Sequence, residues 1–146
     1  MNRWIRLILG GIGLLVVLAL LIQIIPYGHD HTNPSVVQEP NWNSPQTREI
    51  AKRACFDCHS NETVWPWYSN IAPVSWLVFH DVESGREHLN FSEWNREDQA
   101  SFNEIRREVE SHKMPPNTYL LAHPGARLTD QEIQTLIQGL SASAQK

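Results

Sequence analysis

Cys55-Phe56-Asp57-Cys58-His59 is the stretch on which the reading of this chain turns. Its two cysteines are the only ones among 146 residues, so whatever they do, they do together. If the five residues form about one helical turn, the sulfurs project on neighbouring faces and the imidazole sits beside the second. Such a turn could receive a haem through two thioether bonds, with His59 reaching the iron from the proximal side. C-x-x-C-H is the pattern of haem c attachment, and histidine is a common axial ligand. Three other uses stay open at this point. A redox-active C-x-x-C sits at the start of a helix after a strand, whereas the run before Cys55 reads as helix. A zinc site would need a second ligand pair, and no other C-x-x-C or H-x-x-x-H exists. A plain disulfide with an incidental histidine is the third.

The compartment follows from the N-terminus. Arg3 and Arg6 precede 19 residues, Leu7 to Ile25, that hold no charge and one polar side chain, Gln23. That length suits a helix crossing the hydrocarbon core. The positive flank directs the rest of the chain to the extracytoplasmic side. A cleaved signal peptide is the rival, but the run is long for one and Pro26-Tyr27-Gly28 offers no A-x-A-like site. Residues 1–25 are therefore expected to be a single-pass anchor in the inner (cytoplasmic) membrane, with the remainder on the periplasmic side. There a disulfide or a covalently held haem is at home and a reduced zinc site is not.

Residues 26–43 read as a linker, with Pro26, Pro34 and Pro40, many polar residues and no apolar period. His29 and His31 form an H-x-H within it, expected to be solvated and not metal-binding. A folded domain spans 44–141. Its first helix opens at Ser44-Pro45, a cap followed by a residue suited to the first helical position. Ile50, Ala51 and Ala54 then face a partner, and Arg48, Glu49, Lys52 and Arg53 face water. This helix runs into Cys55. An aromatic irregular stretch follows, in which Trp65, Trp67 and Tyr68 are candidates to line a haem edge or simply to pack a loop. A second helix is expected from Pro73 to about Ser84, stopped by Gly85. A third runs from about Arg96 to His112 under an Asn95 cap, and 117–128 reads as loop. Thr129-Asp130-Gln131-Glu132 is a capping box, and Ile133, Leu136, Ile137 and Leu140 recur at helical spacing behind it. That stripe is expected to cross the helix ending in Cys55. Residues 142–146 should fray.

The distal side has one candidate above others. Met114 is the only internal methionine, and Pro115-Pro116 would hold its loop stiff and extended. A thioether suits haem iron. A lone core methionine is the plainer use, and His80, His112 and His123 are the other possible ligands. Acidic residues outnumber basic ones 16 to 12, for a net charge of −4, which leaves no nucleic-acid footprint. No strand pattern and no repeat is visible, so the fold class is all-α, a small helical domain behind one transmembrane helix.

The order of these features resembles class I c-type cytochromes. More closely, the chain resembles the bacterial haem-binding domain family, a cytochrome c-like group of membrane-anchored proteins. The residues that carry the likeness are Cys55 to Ser60, Trp65-Pro66-Trp67-Tyr68, Leu89-Asn90-Phe91-Ser92-Glu93-Trp94, Met114-Pro115-Pro116, and His123-Pro124 with Leu128-Thr129. It covers about residues 41–141. The resemblance implies one covalent haem c on Cys55 and Cys58, His59 as proximal ligand and Met114 as distal ligand. The resulting expectation is a membrane-tethered electron carrier with no substrate of its own and no enzymatic activity, whose redox partners the residues do not identify. A haem-based gas sensor and a thiol–disulfide oxidoreductase using Cys55 and Cys58 are the alternatives.

Overall fold

The computed structural model describes residues 2–143. The chain is all-helical: α1 (Arg3–Ile22), α2 (Pro45–Ala54), α3 (Phe56–His59), α4 (Val74–His88), α5 (Phe102–Glu110), α6 (Asn117–Ala122) and α7 (Asp130–Ser143). Short 3-10 turns lie at Trp67–Asn70 and Pro124–Ala126. Among the described residues no strand forms, and a single parallel bridge pairs Gln38 with Glu93. The chain divides into two compact units. One comprises the residues up to His31 and Trp65–His80; the other comprises Thr32–Val64 and the chain from Asp81 onward.

In the first unit, α1 carries Arg3 and Arg6 in its first turns, is apolar from Leu7 onward and buries nothing. It is long and apolar enough to cross a membrane. Its C-cap, Gln23, is the one polar side chain of the run. The Gln23 amide donates to Ala72 O at 3.0 Å and accepts from Ala72 N at 2.9 Å. Tyr27 meets Phe79 edge-on at 5.3 Å. Gly28 has φ +81°, and a Cβ there would lie 2.8 Å from the Ser75 carbonyl group. His31 does not float in solvent: it stacks on Trp65 at 4.5 Å and bonds Ser69 O at 3.1 Å.

The second unit is built around α2, α5 and α7. Ser44 accepts from Thr47 N at 3.2 Å and Pro45 opens α2, as the cap chemistry requires. The capping box before α7 closes in both directions: Thr129 N donates to Glu132 Oε2 at 2.9 Å, and Glu132 N to Thr129 Oγ1 at 3.3 Å. Helix α7 packs on α2. The crossing is close because position 139 is glycine; a Cβ there would meet Thr47 Cγ2 at 2.4 Å. Ile50, Ala51, Ala54, Ile133, Leu136 and Leu140 meet Ile105 and Val109 of α5 in one core. Trp42, Phe56, Phe91 and Trp94 extend it as an aromatic row, with neighbouring rings 5.6 to 5.8 Å apart along Phe56–Phe91–Trp94.

Several boundaries differ from expectation. Helix α4 runs through Gly85 to His88. The third helix starts at Phe102, not Arg96, capped by Ser101. The reason is visible in the segment before it. Gln99 Oε1 accepts from Asn90 N at 3.1 Å, Ala100 N donates to His88 O at 2.7 Å, and Arg96 reaches back to Arg86 O at 3.1 Å. These bonds hold 90–100 as a folded loop. Residues 117–122 form α6 because Pro116 lets the chain enter a helix directly. Residues 32–43 lie packed on the second unit: Val37 N and Gln38 N donate to Ser92 O, Trp94 N donates to Gln38 O, and Trp42 joins the core. At the other end α7 stays helical through Ser143, whose hydroxyl donates to Asn41 O at 2.7 Å. Residues 144–146 of the expected frayed tail lie outside the described residues.

Candidate haem-attachment site

Cys55 ends α2 and starts α3, with φ −126° and ψ −33°. Its amide still bonds Ala51 O at 2.8 Å, while its own carbonyl accepts from Cys58 N at 3.2 Å and His59 N at 2.9 Å. The two cysteines and the histidine therefore sit on one short turn carried on the end of a packed helix. Phe56, between the cysteines, is 1% exposed and anchors that turn in the aromatic row. Ser60 ends it: its hydroxyl donates to Phe56 O at 2.8 Å and accepts from Glu62 N at 2.9 Å.

Helix α4 lies against this turn. A Cβ on Gly85 would stand 2.4 Å from Cys58 O and 2.9 Å from Cys58 C. The glycine is thus a contact point, not a helix stop. Its carbonyl, at 2.9 Å, and that of Leu89, at 3.2 Å, both face His59 Nδ1. Two acceptors around Nδ1 mean that this nitrogen carries the ring proton, which leaves Nε2 with its lone pair. Metal-ligating histidines are held this way, with the second nitrogen donating to a backbone carbonyl. Burial lowers the His59 pKa, with the two carbonyls partly opposing, so the neutral ring is favoured. Arg86, one residue on, clamps the chain after the motif. It donates to Ser60 O at 2.8 Å, Thr63 Oγ1 at 2.9 Å, Asn33 Oδ1 at 2.8 Å and Thr32 O at 3.1 Å.

Both thiols are free and half-buried. Burial pushes each up to about 12, helped at Cys55 by Cys58 and at Cys58 by the Asp81 and Asp57 carboxylates. The second residue between the cysteines, Asp57, has both oxygens occupied. Oδ2 accepts from Tyr119 OH at 2.7 Å, and Oδ1 from Val64 N at 3.1 Å. Tyr119 in turn stacks on His123 at 4.3 Å.

The remaining candidates are placed as follows. Met114 is 37% exposed, so it is not a core methionine; its amide bonds Glu108 O at 3.2 Å, folding the loop back on α5. His112, at φ 54°, is exposed, as is His80, and His123 is half-buried. Trp65, Trp67 and Tyr68 belong to the first unit, where Trp65 stacks on His31 and Trp67 meets Tyr68 edge-on at 5.9 Å. Sequence reading takes Gly85 for a helix stop, passes over Arg86, and quotes Asp57 and Leu89 within motifs without giving either a contact at this turn. The signal for Gly85 is the continuing helical spacing Val82, Gly85, Arg86, Leu89, which carries the helix past the glycine.

The fold and the site together define a small helical module with a paired-thiol and histidine turn, in which the histidine Nε2 keeps its lone pair. The chain belongs to the haem-binding domain family, whose model matches residues 17–142. No curated protein and no solved structure matches it.

Proposed function

We propose that the chain is a membrane-anchored, extracytoplasmic, mono-haem c-type cytochrome domain that carries electrons. Cys55 and Cys58 would hold one haem covalently, His59 Nε2 would be the proximal ligand and Met114 the distal one. The bound haem supplies a reversible one-electron centre. The chain's own residues supply its seat: Gly85 and Leu89 orient the ring, Phe56 roots the turn in the core, and Arg86 holds the segment that follows. The observation that carries this reading is His59 Nδ1 between two backbone carbonyls, beside two free thiols on one turn. A thiol–disulfide role is disfavoured by the same burial, because thiols raised to about 12 are almost wholly un-ionised at neutral pH. Retention of α1 is supported by Gln23, Tyr27 and Gly28, which tie its C-terminal end into folded structure.

The test is a haem-staining gel and pyridine haemochrome spectrum of protein matured in a periplasm. A reduced-minus-oxidised spectrum of wild type and Met114→Ala accompanies them. Covalent haem with a low-spin signature that is lost in the variant is expected. Purified protein without covalent haem overturns the reading. The exposure of Met114 favours one alternative, a haem-based gas sensor with a labile distal ligand. Carbon monoxide binding to the reduced wild type separates the two, since a tightly six-coordinate carrier ignores it.

A further inference from the structure

Residues 65–80 contain no Asp, Glu, Lys or Arg, yet hold Trp65, Trp67, Tyr68, Trp76 and Phe79. The whole segment lies in the first unit with α1. It is fixed to the residues at the end of that helix: Gln23 to Ala72 through two hydrogen bonds, Tyr27 to Phe79, Gly28 against Ser75, and His31 to Trp65 and Ser69. A segment so rich in apolar side chains would normally turn them inward. Here Trp67 is 76% exposed, Leu77 59%, Ile71 48% and Val74 44%, and Ile24, in the same unit, is 76% exposed. Large apolar side chains left exposed in such number within eleven residues are more than the scattered single ones of an ordinary surface, and exposed apolar surface gathered in one place marks a binding site. Uncharged aromatic surface at the end of an apolar spanning helix has a particular counterpart, because tryptophan and tyrosine collect at the membrane–water interface.

We propose that residues 65–80 form a lipid-contacting collar, in which Trp67, Ile71, Val74 and Leu77 sit in the headgroup–acyl boundary of the leaflet from which α1 emerges. The proposal rests on the reading of α1 as a retained anchor. The occupant is lipid and not a second protein for two reasons. The segment is tied to Gln23, the C-cap of the spanning helix, and to the residues just after it, which fixes its depth near the bilayer surface. The segment also offers no charge with which to select a protein partner. Exposed Trp67 and Leu77 then cost nothing in the native setting, since their apolar area leaves water on insertion.

The experiment uses the full-length, haem-loaded protein in nanodiscs of phosphatidylethanolamine and phosphatidylglycerol. The photo-crosslinker benzoylphenylalanine replaces Trp67, Leu77 or, as a control within α1, Leu15. Intact mass before irradiation reports whether α1 remains, and Soret absorbance reports folding. Lipid adducts at positions 67 and 77 as well as 15 are expected. Adducts at 15 with none at 67 and 77, or with crosslinks from 67 and 77 to a second copy or another protein, overturn the collar and leave the anchor standing. A mature chain that lacks α1 overturns both.

Discussion

The α-carbon of Gly85 approaches Cys58 so closely that an added Cβ would lie 2.4 Å from the Cys58 carbonyl oxygen. Gly85 sits in the interior of α4, where glycine costs roughly 1 kcal/mol relative to alanine. Helix propensity alone would make Gly85→Ala stabilising. The clash is with backbone, which cannot swing aside, and such overpacking costs about 1–3 kcal/mol. The steric term should win. Gly85→Ala is expected to lower stability in urea unfolding and to reduce haem incorporation, because displacing α4 also withdraws the acceptors of His59 Nδ1. Gly125→Ala, where a Cβ meets nothing within 4 Å, is the control and should stay within about 0.5 kcal/mol of wild type. A Gly85→Ala protein more stable than wild type would refute the argument.

Asp57 links the attachment turn to the helix that follows the Met114 loop. The Tyr119 hydroxyl reaches Asp57 Oδ2 at 2.7 Å. Tyr119→Phe removes one partly buried hydrogen bond and is expected to cost about 1 kcal/mol, a loss of about 4–8 °C in Tm for a domain of this size. Asp57→Ala should cost more, because it also removes the bond from Val64 N–H that tethers the following loop to the turn. In the Asp57→Ala background, Tyr119→Phe should then have almost no further effect. Additive losses would show that the Tyr119 hydroxyl acts through a contact other than Asp57.

Arg86 makes four bonds to acceptors on two separate pieces of chain, residues 32–33 and 60–63. No compact ammonium can reproduce that planar fork. Arg86→Lys is expected to destabilise by about 1–2 kcal/mol despite the retained charge, by loss of at least one charged hydrogen bond. Urea unfolding at neutral pH measures it. A Lys variant equal to wild type would mean that charge and not geometry holds residues 32–33 and 60–63.

How much of this was legible in advance depends on how far each determinant reaches along the chain. Ser44-Pro45 and Thr129 with Glu132 are read correctly because a cap is made within four residues. The α7 stripe and the motif turn are equally local. Gly85 is misread because its reason lies 27 positions away, at Cys58, and glycine has the same letter as a helix stop or as a packing contact. Asn95 loses its expected cap to Ser101 because Arg96 donates to Arg86 O on α4 while Gln99 accepts from Asn90 N and donates to Trp94 O in the loop, which no local pattern encodes. Residues 32–43 look like linker because they are polar. Their polarity is spent instead on specific partners, Asn33 on Thr63 and Glu39 on Arg48. Arg48 for the same reason is not a solvated residue.

Glu39 shows the consequence of that last pairing for pH. Its carboxylate receives Arg48 Nε at 2.8 Å, Arg48 Nη2 at 2.6 Å and Trp42 Nε1 at 2.6 Å. Arg48 also reaches Glu62 at 2.8 Å and lies over the Phe56 ring at 5.3 Å, so the pair braces the attachment turn. The Arg48 hydrogen bond holds the Glu39 carboxyl below its ordinary value of 4.5, against the opposing effect of burial. The folded-state pKa is therefore the lower one. The pair's contribution is complete above the ordinary carboxylate range and is lost as pH falls through it toward the folded value. The two side chains are 28% and 22% exposed and their geometry is bidentate, so Glu39→Ala should cost about 1–2 kcal/mol at neutral pH, above the surface-pair median. Urea unfolding of wild type and variant across the acid range is the measurement. The difference between them should shrink steadily below about pH 4. A difference that stays constant into strong acid would assign the loss to packing around Trp42 and not to the ion pair.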